Sequence, residues 1–568
     1  MRRTRFSRPT SVWTAVAAAV GWLALAGPAT APAQIGTAAS SAIAQLAGTD
    51  GCVMQVDEDI DHGCARAGAL AEVAAVAVSP DDRFVYAVAG GTLNDGTDGI
   101  LTFARTAGTG ALRPVGCITA NGGDGRVGSE GLCERGDALV GARDIAISPD
   151  GENAYVASSG SGGLAWLKRD KLTGRLTPSG CVKDTPRADR CSEMPNLLGA
   201  SAVAVSPDGN DVYVAAATSG ALHAFEREPA TGRLVHVQCL SETGSDGACE
   251  AAPALQAVTD LAMAPDGKSL YAAGISGAVA RFARDPQSGT LRETACLLES
   301  APGGGPCRDA AGIDGAAGVV VSPDSRDLYV AASGSEAVTS FRAGPEGALS
   351  QTGCIARATD VDGPSDSPVE AGCTAGTEVW EPVAVAASAD GRTVYAAGLD
   401  TVTSYRRDPA SGAFRQTGCA EEDNGGFCQA ARAIDGVRAV AVTSDGTNVY
   451  TASDSEHAVA AFGVTVSVDP GALTLRRDAV PVVLRCPRVV ARACAGTVAI
   501  AAGRRAAVPG RARTFRLRPG ARATVAVAAP SSLRSALRLH RAAPATVRVT
   551  DGRGVLERLT RRVTVHRG

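Results

Sequence analysis

The chain is poor in residue types on which many functional sites depend. Aromatic residues make up only 4% of its 568 positions, and it has only six histidines. Few aromatic rings mean few stacking platforms, which argues against a lectin and against a nucleic-acid-binding protein. No Gly-x-Ser-x-Gly motif occurs, so the sequence does not support a hydrolase built on a nucleophile elbow.

Two further absences narrow the class of protein. None of the sixteen cysteines forms a Cys-x-x-Cys pair, which argues against a cytosolic zinc protein. Sixteen is an even number, and it fits an oxidising compartment in which disulfides persist. Beyond the first 33 residues no segment is apolar enough to span a bilayer. We therefore expect a secreted, extracytoplasmic protein without a transmembrane anchor, and a monomer.

The amino terminus has the organisation of a secretory signal peptide. Four arginines precede an apolar run from Val12 to Ala26, and small residues ending in Ala31-Pro32-Ala33 follow. The apolar run is shorter than the roughly 20 residues that a spanning helix needs. We expect residues 1–33 to be cleaved, with a retained anchor as the alternative.

A strand-turn-strand unit recurs seven times. Each copy has an apolar strand, a Ser-Pro-Asp-Gly turn or a variant of it, and a second strand related to Val-Tyr-Val-Ala. The β-branched and aromatic residues favour strands, and Pro-Asp-Gly favours a tight turn. The turn aspartates are Asp81, Asp150, Asp208, Asp266, Asp324, Asp390 and Asp445. A third strand and a fourth strand ending in cysteine complete a unit of about 60 residues, which predicts one propeller blade per copy.

The repeats predict an all-β fold, a seven-bladed β-propeller over residues 43–462. Only six fourth strands lie between the seven hairpins, so the last blade lacks one. The segment from Ala44 to Cys52 resembles the missing strand and is expected to complete the seventh blade. Asp469–Leu473 is the alternative closing segment, although it lacks the cysteine.

Each blade is expected to carry its own disulfide, because a second cysteine follows each fourth strand after a short loop. A cross-blade pattern is the alternative. The adjacent pairs are Cys52 with Cys64, Cys117 with Cys133, Cys181 with Cys191, Cys239 with Cys249, Cys296 with Cys307, Cys354 with Cys373, and Cys419 with Cys428, and an eighth pair, Cys486 with Cys494, lies beyond the repeats.

The composition changes after Gly463. Residues 464–568 contain 21 arginines, no lysine and four acidic residues, a net charge of +17 in a chain whose total is −4. Alternating runs such as 522–527 and 545–549 predict strands with one solvated face. We expect a small, Arg-rich, β-sandwich-like domain. It could bind an anionic wall polymer, a membrane surface or nucleic acid, dock on the acidic propeller, or simply be solvated.

The repeats resemble the secreted bacterial propellers of the lactonase-like, YVTN-type family, a WD40-like architecture. Ser206-Pro207-Asp208-Gly209 with Val212-Tyr213-Val214-Ala215, and the turn Asp285–Gly289, carry the resemblance. It covers residues 43–462. The family opens lactone rings, and the resemblance implies a site in the central channel that uses acidic, His or Arg residues.

Family members often carry a histidine just before the innermost strand, and this chain has none there. The residues at the equivalent positions are Glu72, Arg143, Asp144, Asp260, Glu381 and Arg438. A carboxylate among them could act as a general base or hold a metal ion that activates water. The alternative is that they cap strand ends and line a solvated channel.

Two acidic loops are candidate sites for a divalent cation such as calcium, which prefers several hard oxygen ligands. The candidate ligands are Asp57, Asp59, Asp61, Asp360, Asp362 and Asp366. Neither loop has the full EF-hand spacing, and solvated acidic loops are the alternative. His223 and His236 lie on predicted strands, where packing or solvation is the simpler interpretation than catalysis.

Loops of different length on a constant frame suit recognition. The leading hypothesis is therefore a secreted binding or scaffold propeller that recognises a partner through disulfide-stapled loops on one face. The partner could be an extracellular protein, a cell-surface polymer or a small molecule. The alternative is a lactonase-type hydrolase with a channel carboxylate or metal site.

Overall fold

The computed structural model describes residues 43–56, 62–90, 98–107, 109–125, 131–185, 190–300, 305–344, 347–357, 372–422, 428–464, 467–468, 473–486, 494–502, 511–518, 521–551 and 559–567. The regular secondary structure of the described residues is almost entirely β-strand. The predicted signal peptide and both candidate calcium loops lie outside them. No described helix is long and apolar enough to cross a membrane.

The described chain begins with three short strands and a 3₁₀ turn at Gly48–Gly51. The strands are β1 (Ile43–Gln45), β2 (Cys52–Gln55) and β3 (Ala65–Ala67). They belong to the last of seven similar sheets, which we number 1 to 7 along the chain.

Sheets 1 to 3 have the same strand order. Sheet 1 consists of β4 (Val73–Val78), β5 (Phe84–Ala89), β6 (Gly99–Arg105), β7 (Leu112–Thr119) and β8 (Glu134–Arg135). Sheet 2 consists of β9 (Ala142–Ile147), β10 (Asn153–Ser158), β11 (Gly163–Arg169), β12 (Leu176–Lys183) and β13 (Ser192–Glu193). Sheet 3 consists of β14 (Ala200–Val205), β15 (Asp211–Ala216), β16 (Ala221–Arg227), β17 (Leu234–Ser241) and β18 (Glu250–Ala251), with a 3₁₀ turn at Ser245–Gly247.

Sheets 4 to 6 repeat this order. Sheet 4 consists of β19 (Val258–Met263), β20 (Ser269–Gly274), β21 (Ala278–Arg284), β22 (Leu291–Glu299) and β23 (Arg308–Ala310). Sheet 5 consists of β24 (Ala316–Val321), β25 (Asp327–Ala332), β26 (Ala337–Ala343), β27 (Leu349–Arg357) and β28 (Thr374–Gly376). Sheet 6 consists of β29 (Pro382–Ala387), β30 (Thr393–Gly398), β31 (Thr401–Arg407), β32 (Phe414–Glu421) and β33 (Gln429–Ala430).

Sheet 7 combines both ends of the repeat region. It consists of β34 (Val437–Val442), β35 (Asn448–Ser453) and β36 (Ala458–Val464), and both β1 and β2 pair antiparallel with β36. In every sheet the first four strands are antiparallel, and the short fifth strand is parallel to the fourth. The first strands of successive sheets contact one another in cyclic order, and β34 contacts β4. We call this arrangement the ring.

The ring has two ends. At the turn end, Ser-Pro-Asp turns join the first and second strands. At the loop end, disulfide-bearing segments join one sheet to the next, and the first strands begin there. The Ser79 hydroxyl donates to Asp81 at 2.6 Å and accepts the Phe84 backbone N–H at 3.0 Å, which fixes the turn. The same Ser or Thr with Asp recurs in six sheets, whereas sheet 4 has alanine, Ala264, at the hydroxyl position.

Buried arginines join neighbouring sheets at the turn end. Arg169 of sheet 2 donates Nε–H to the Tyr86 hydroxyl of sheet 1 at 2.6 Å, and Nη2–H to both oxygens of Asp81 at 3.1 Å. Tyr86 in turn donates to the carbonyl of Gly174 in sheet 2 at 2.9 Å. Each of these polar groups thus has a hydrogen-bond partner on the neighbouring sheet, which buried polar groups require. We call this the arginine latch.

The latch recurs at five of the seven junctions. The other four are formed by Arg227 with Tyr155 and Asp150, Arg284 with Tyr213 and Asp208, Arg407 with Asp324 and Asp327, and Arg105 with Tyr450 and Asp445. Arg105 links sheet 1 to sheet 7. Ala343 and Val464 occupy the arginine position in sheets 5 and 7. At the junction of sheets 4 and 5, Arg281 instead lies over the Tyr271 ring of its own sheet.

Eight disulfides join adjacent cysteines, with Cα atoms 4.5 to 5.7 Å apart. Seven of them fasten a fourth strand to the loop that follows it. In five of these sheets, a polar side chain three residues after the first cysteine accepts a backbone N–H where the loop returns to the ring, as Glu242 does from Leu255 at 2.7 Å. Disulfides in this number are consistent with an oxidising, extracytoplasmic compartment.

The amino-terminal segment is held by both sheets 6 and 7. Gln45 exchanges two hydrogen bonds with the backbone of Arg432, at 2.8 and 3.1 Å. Arg432 donates its side-chain N–H groups to the carbonyls of His62 and Gly48. The His62 ring lies 2.7 Å from Glu456 and 3.6 Å from Glu422, so it connects the two sheets.

Residues after 464 form two further sheets and one helix. The strands are β37 (Ser467–Val468), β38 (Leu473–Leu475), β39 (Ala479–Arg485), β40 (Cys494–Ala502), β41 (Arg513–Leu517), β42 (Arg522–Ala528), β43 (Ala542–Asp551) and β44 (Leu559–Arg567), and the helix is α1 (Ser531–Leu539). Strands β37, β39 and β42 form one sheet, and the remaining five form the other. Leu533 and Leu537 of α1 pack into an apolar cluster with Val482, Ile500 and Val547. The alternating pattern predicted strands here but not the helix.

Candidate active site

The residue directly before each first strand has a positive φ, a conformation that favours glycine. Glycine occupies this entry position in four sheets and Ala257 in sheet 4. Glu72 and Glu381 occupy it in sheets 1 and 6, with φ of 48° and 33°. Glu381 is exposed and Glu72 is half-buried. Strained backbone at a non-glycine residue is common at functional sites, which keeps both glutamates among the candidates.

Two candidate arginines occupy the second position of their first strands, where the strand bulges. Arg143 of sheet 2 donates Nε–H to the Ser159 hydroxyl at 3.2 Å. Arg438 of sheet 7 donates Nε–H to Asp454 at 2.5 Å. Both side chains are exposed at the loop end. They supply positive charge beside the start of the first strands.

Asp144 and Asp260 occupy the third position of the first strands in sheets 2 and 4. Each bridges two sheets through backbone N–H groups. Asp144 accepts from Ile145 at 2.7 Å and from Val203 of sheet 3 at 2.8 Å. Asp260 accepts from Leu261 at 2.8 Å and from Val319 of sheet 5 at 2.7 Å. These contacts orient both carboxyl groups, and each oxygen keeps a second lone pair.

The other five sheets have small residues at this third position. They are Ala75, Ala202, Gly318, Ala384 and Ala439. Ala202 belongs to sheet 3, which lies between the two aspartates. A Cβ on Gly318 would lie 2.6 Å from the Val383 carbonyl oxygen, so the strands approach too closely there for a larger residue. At the third position of the seven first strands, Asp144 and Asp260 are therefore the polar residues among small ones.

Burial and mutual repulsion alter the titration of this aspartate pair. Burial raises the pKa of Asp144 above its ordinary value, although the Val203 and Ile145 N–H groups act in the opposite direction. Burial, followed by the charge of Asp144, raises the pKa of Asp260 to about 8. The two groups are therefore close enough to interact. Near neutral pH, Asp260 therefore retains a proton.

The histidines do not contribute to this site. His223 is buried in sheet 3, where its ring nitrogen lies 3.2 Å from His236 and the other nitrogen 3.0 Å from the Asn196 carbonyl oxygen. Burial lowers the pKa of His223 to about 4. In the part of the chain that the structure describes, no three His, Cys, Asp or Glu residues are grouped closely enough to hold a metal ion. The candidate ligands Asp57, Asp59, Asp61, Asp360, Asp362 and Asp366 lie outside the described residues.

The structure thus divides the sequence-based candidates into three levels at one end of the ring. Glu72 and Glu381 are at the entry position, Arg143 and Arg438 at the second, and Asp144 and Asp260 at the third. Sequence reasoning did not single out the aspartate pair from the other four. An alignment of the seven first strands contains the missing signal, because aspartate interrupts a column of alanine and glycine.

One family model matches the chain. It is described as "Lactonase, 7-bladed beta-propeller" and matches residues 135–305. A search of curated proteins gave no match.

The solved structures that match this chain include three bacterial proteins. The periplasmic gluconolactonase of Pseudomonas aeruginosa is 19% identical over 66% of this chain and 94% of its own, with a TM-score of 0.44. A candidate 6-phosphogluconolactonase from Bacteroides uniformis is 20% identical over 61% and 83%, with a TM-score of 0.42. A Lactobacillus plantarum protein is 17% identical over 61% and 83%, with a TM-score of 0.43.

The matched segment 135–305 contains Arg143, Asp144 and Asp260, whereas Glu72, Glu381 and Arg438 lie outside it. It is the lactonase family of seven-bladed β-propellers that this chain resembles.

Proposed function

We propose that the protein is an exported lactone hydrolase whose seven sheets are the blades of a closed propeller. The cyclic contacts of the first strands support closure, with the amino-terminal strands completing the last blade. The lactonase match over 135–305 supports hydrolysis more than it supports a binding scaffold. In this proposal residues 1–33 are a cleaved signal peptide, and 464–568 form a separate Arg-rich domain.

The observation that carries the proposal is the aspartate pair in a ring of small residues. A lactone is hydrolysed when water attacks its carbonyl carbon and the bond from that carbon to the ring oxygen breaks. Ionised Asp144 is the general base that takes the proton from water. Protonated Asp260 is the general acid that donates a proton to the departing ring oxygen. The product is the open hydroxy acid, which loses its carboxyl proton to solvent, and the pair is reset when the proton that Asp144 gained passes to Asp260.

The arginines and glutamates at the mouth have supporting roles. In this proposal, Arg143 precedes the base in the chain and stabilises the negative charge that develops on the carbonyl oxygen. Arg438 is a weaker candidate for that role because Asp454 already pairs with it. Glu72 and Glu381 flank the entry. No metal ion is needed for this sequence of proton transfers.

The test is titrimetric hydrolysis of a panel of lactones by the mature protein, with calcium and then with a chelator. We expect turnover that the chelator leaves unchanged. Asp144→Asn and Asp260→Asn should each lower kcat/KM by about 100- to 10,000-fold, the usual contribution of a general base or acid. Asp266→Asn is the matched control, because Asp266 is an exposed aspartate of the same sheet at the turn end.

The pH profile separates catalysis from a structural role. The wild type should have a bell-shaped profile whose basic limb reflects Asp260, and Asp260→Asn should remove that limb. No turnover of any lactone would refute the proposal. It would favour the recognition hypothesis, in which the disulfide-stapled loops bind a partner.

A further inference from the structure

The mouth of the ring at the loop end has an apolar side. Val140, Leu198 and Ile275, on sheets 2, 3 and 4, are 36%, 47% and 54% exposed. Val140 and Leu198 each lie two residues before a first strand, and Ile275 lies in the turn after β20. These are the same three sheets that contain the aspartate pair and Ala202 between its members.

The backbone holds these apolar residues in position. Val140 and Leu198 each donate their N–H to a serine hydroxyl in the turn between the second and third strands, Ser161 and Ser219, at 3.0 and 3.1 Å. Leu198 also packs against the turn of sheet 2, since a Cβ on Gly162 would lie 3.3 Å from its Cδ2. Val140 and Leu198 are thus held in place, and we call these two side chains and Ile275, exposed on successive sheets, the apolar arc.

The opposite side of the mouth is acidic. Sheets 5 to 7 have acidic side chains at the positions equivalent to the apolar arc and next to it. They are Asp314, Glu336, Glu381, Asp435 and Asp454. Two of these pair with arginines, Glu336 with Arg357 and Asp454 with Arg438. Leu399 and Trp380 of sheet 6 are apolar exceptions on this side. The acidic residues outnumber the cations, so the mouth repels an anionic group.

We propose that the substrate is an uncharged lactone with a hydrocarbon arm. The inference rests on the proposed lactone hydrolysis and specifies its substrate class. The lactone ring reaches Asp144 and Asp260, and the arm lies on the apolar arc directly outside them. The acidic side of the mouth repels the negative charge of a phosphorylated or carboxylated sugar lactone. Among the described residues of the mouth, no cluster of unpaired cations is present to bind that charge.

The test is a series of γ-lactones with unbranched side chains of zero to six carbons. Full burial of a methylene corresponds to a factor of about four, and a half-open surface should give about half of that free energy. We therefore expect kcat/KM to rise about twofold per methylene. A phosphorylated sugar lactone should be hydrolysed at least tenfold less efficiently than the six-carbon substrate.

Substitution of the arc should change only the chain-length dependence. Leu198→Asp and Ile275→Asp should each flatten the increase across the series, while hydrolysis of the unsubstituted lactone stays within about twofold of wild type. That unchanged rate also shows that the variants fold, and Ile275→Ser is the milder replacement if either does not. Leu172→Asp is the matched control, because Leu172 is 76% exposed at the turn end. It should keep the full increase.

The outcomes separate this inference from the proposed function. Hydrolysis with no chain-length dependence, or with a preference for the phosphorylated lactone, overturns the substrate class and leaves lactone hydrolysis intact. An increase that survives both Asp substitutions overturns the role of the apolar arc. No hydrolysis of any lactone overturns the proposed function itself.

Discussion

The two ends of the ring are built from the same repeat but differ in how strictly they keep it. At the turn end, six sheets share the Ser or Thr with Asp turn and five junctions share the arginine latch. At the loop end, the entry position contains Gly, Ala or Glu, and the third position contains Asp, Ala or Gly. Residues that recur hold the fold together, and residues that interrupt the recurrence are the candidates for function.

The pKa values of Asp81 at the turn end and Asp260 at the loop end are also shifted in opposite directions. At the turn end, burial raises the pKa of Asp81, but hydrogen bonds from Ser79 and Arg169 outweigh it, and the pKa lies below its ordinary value. At the loop end, no cation offsets burial, and the pKa of Asp260 rises to about 8. Paired carboxylates thus stabilise the junctions, whereas Asp144 and Asp260 have no cationic partner among the described residues and are the acid and base of the proposed mechanism.

The largest stability effect should come from a latch. Arg169→Ala leaves the Tyr86 hydroxyl and Asp81 without their shared donor. Removing one partner of a buried ion pair costs about 3–5 kcal/mol, and the 33% exposure of the Asp81 side chain reduces the loss to about 2–4 kcal/mol. Urea denaturation measures it. Lys168→Ala, an exposed change on the same strand, should stay within about 0.5 kcal/mol. Equal losses from the two variants would contradict the latch.

The next largest effect should come from a disulfide at the opposite end of the same sheet. Replacing Cys181 and Cys191 with serine opens a loop of sequence separation 10. The expected loss is about 2–3 kcal/mol, because the unfolded chain regains loop entropy. The midpoint of unfolding in urea is the readout, with Ser192→Ala as control. A loss as small as that of the control would mean that the loop is held by other contacts.

The pH dependence of stability distinguishes the two ends of the ring by its sign. The pKa of Asp260 in the folded protein exceeds the unfolded value of about 3.9, so between pH 4 and pH 8 the folded state binds a proton that the unfolded state has lost. Stability should therefore fall as pH rises, by at most about 1.4 kcal/mol per pH unit. For Asp81 the folded pKa is the lower one. Its contribution is present above about pH 4 and is lost as pH falls further.

Urea midpoints between pH 2 and pH 9 test both signs. Asp260→Asn should flatten the decline toward high pH, and Arg169→Ala should flatten the decline toward low pH. Asp266→Asn should leave both limbs unchanged. If Asp260→Asn instead flattened the decline toward low pH and Arg169→Ala the decline toward high pH, the directions of the pKa shifts given for the two ends would be wrong.

The sequence predicted the strands better than the contacts between sheets. The Ser-Pro-Asp turns predicted the hairpins, such as β14 and β15, because that signal lies within a few residues. The cysteine expected at the end of each fourth strand likewise predicted β12, which contains Cys181. The latch was missed because Arg169 and Tyr86 are 83 residues apart and no local pattern links them. The parallel fifth strands were missed because each has only two or three residues, and α1 was missed because its neighbours alternate like strands.

The candidate site was only partly predictable for the same reason. The position before and within the first strand identified six candidates from sequence, but not which of them interact. The link between Asp144 and Asp260 depends on two strands of non-adjacent sheets and on the small Ala202 between them. Only the ring geometry brings these residues together.

The most direct test of the account compares Asp144→Asn with Arg169→Ala on one uncharged lactone, at a temperature where both variants are folded. We expect Asp144→Asn to lose about 100-fold or more in kcat/KM. Arg169→Ala should remain within about threefold of wild type despite its lower stability. Wild-type activity in Asp144→Asn, or loss of activity in folded Arg169→Ala, would contradict the division between a chemical loop end and a structural turn end.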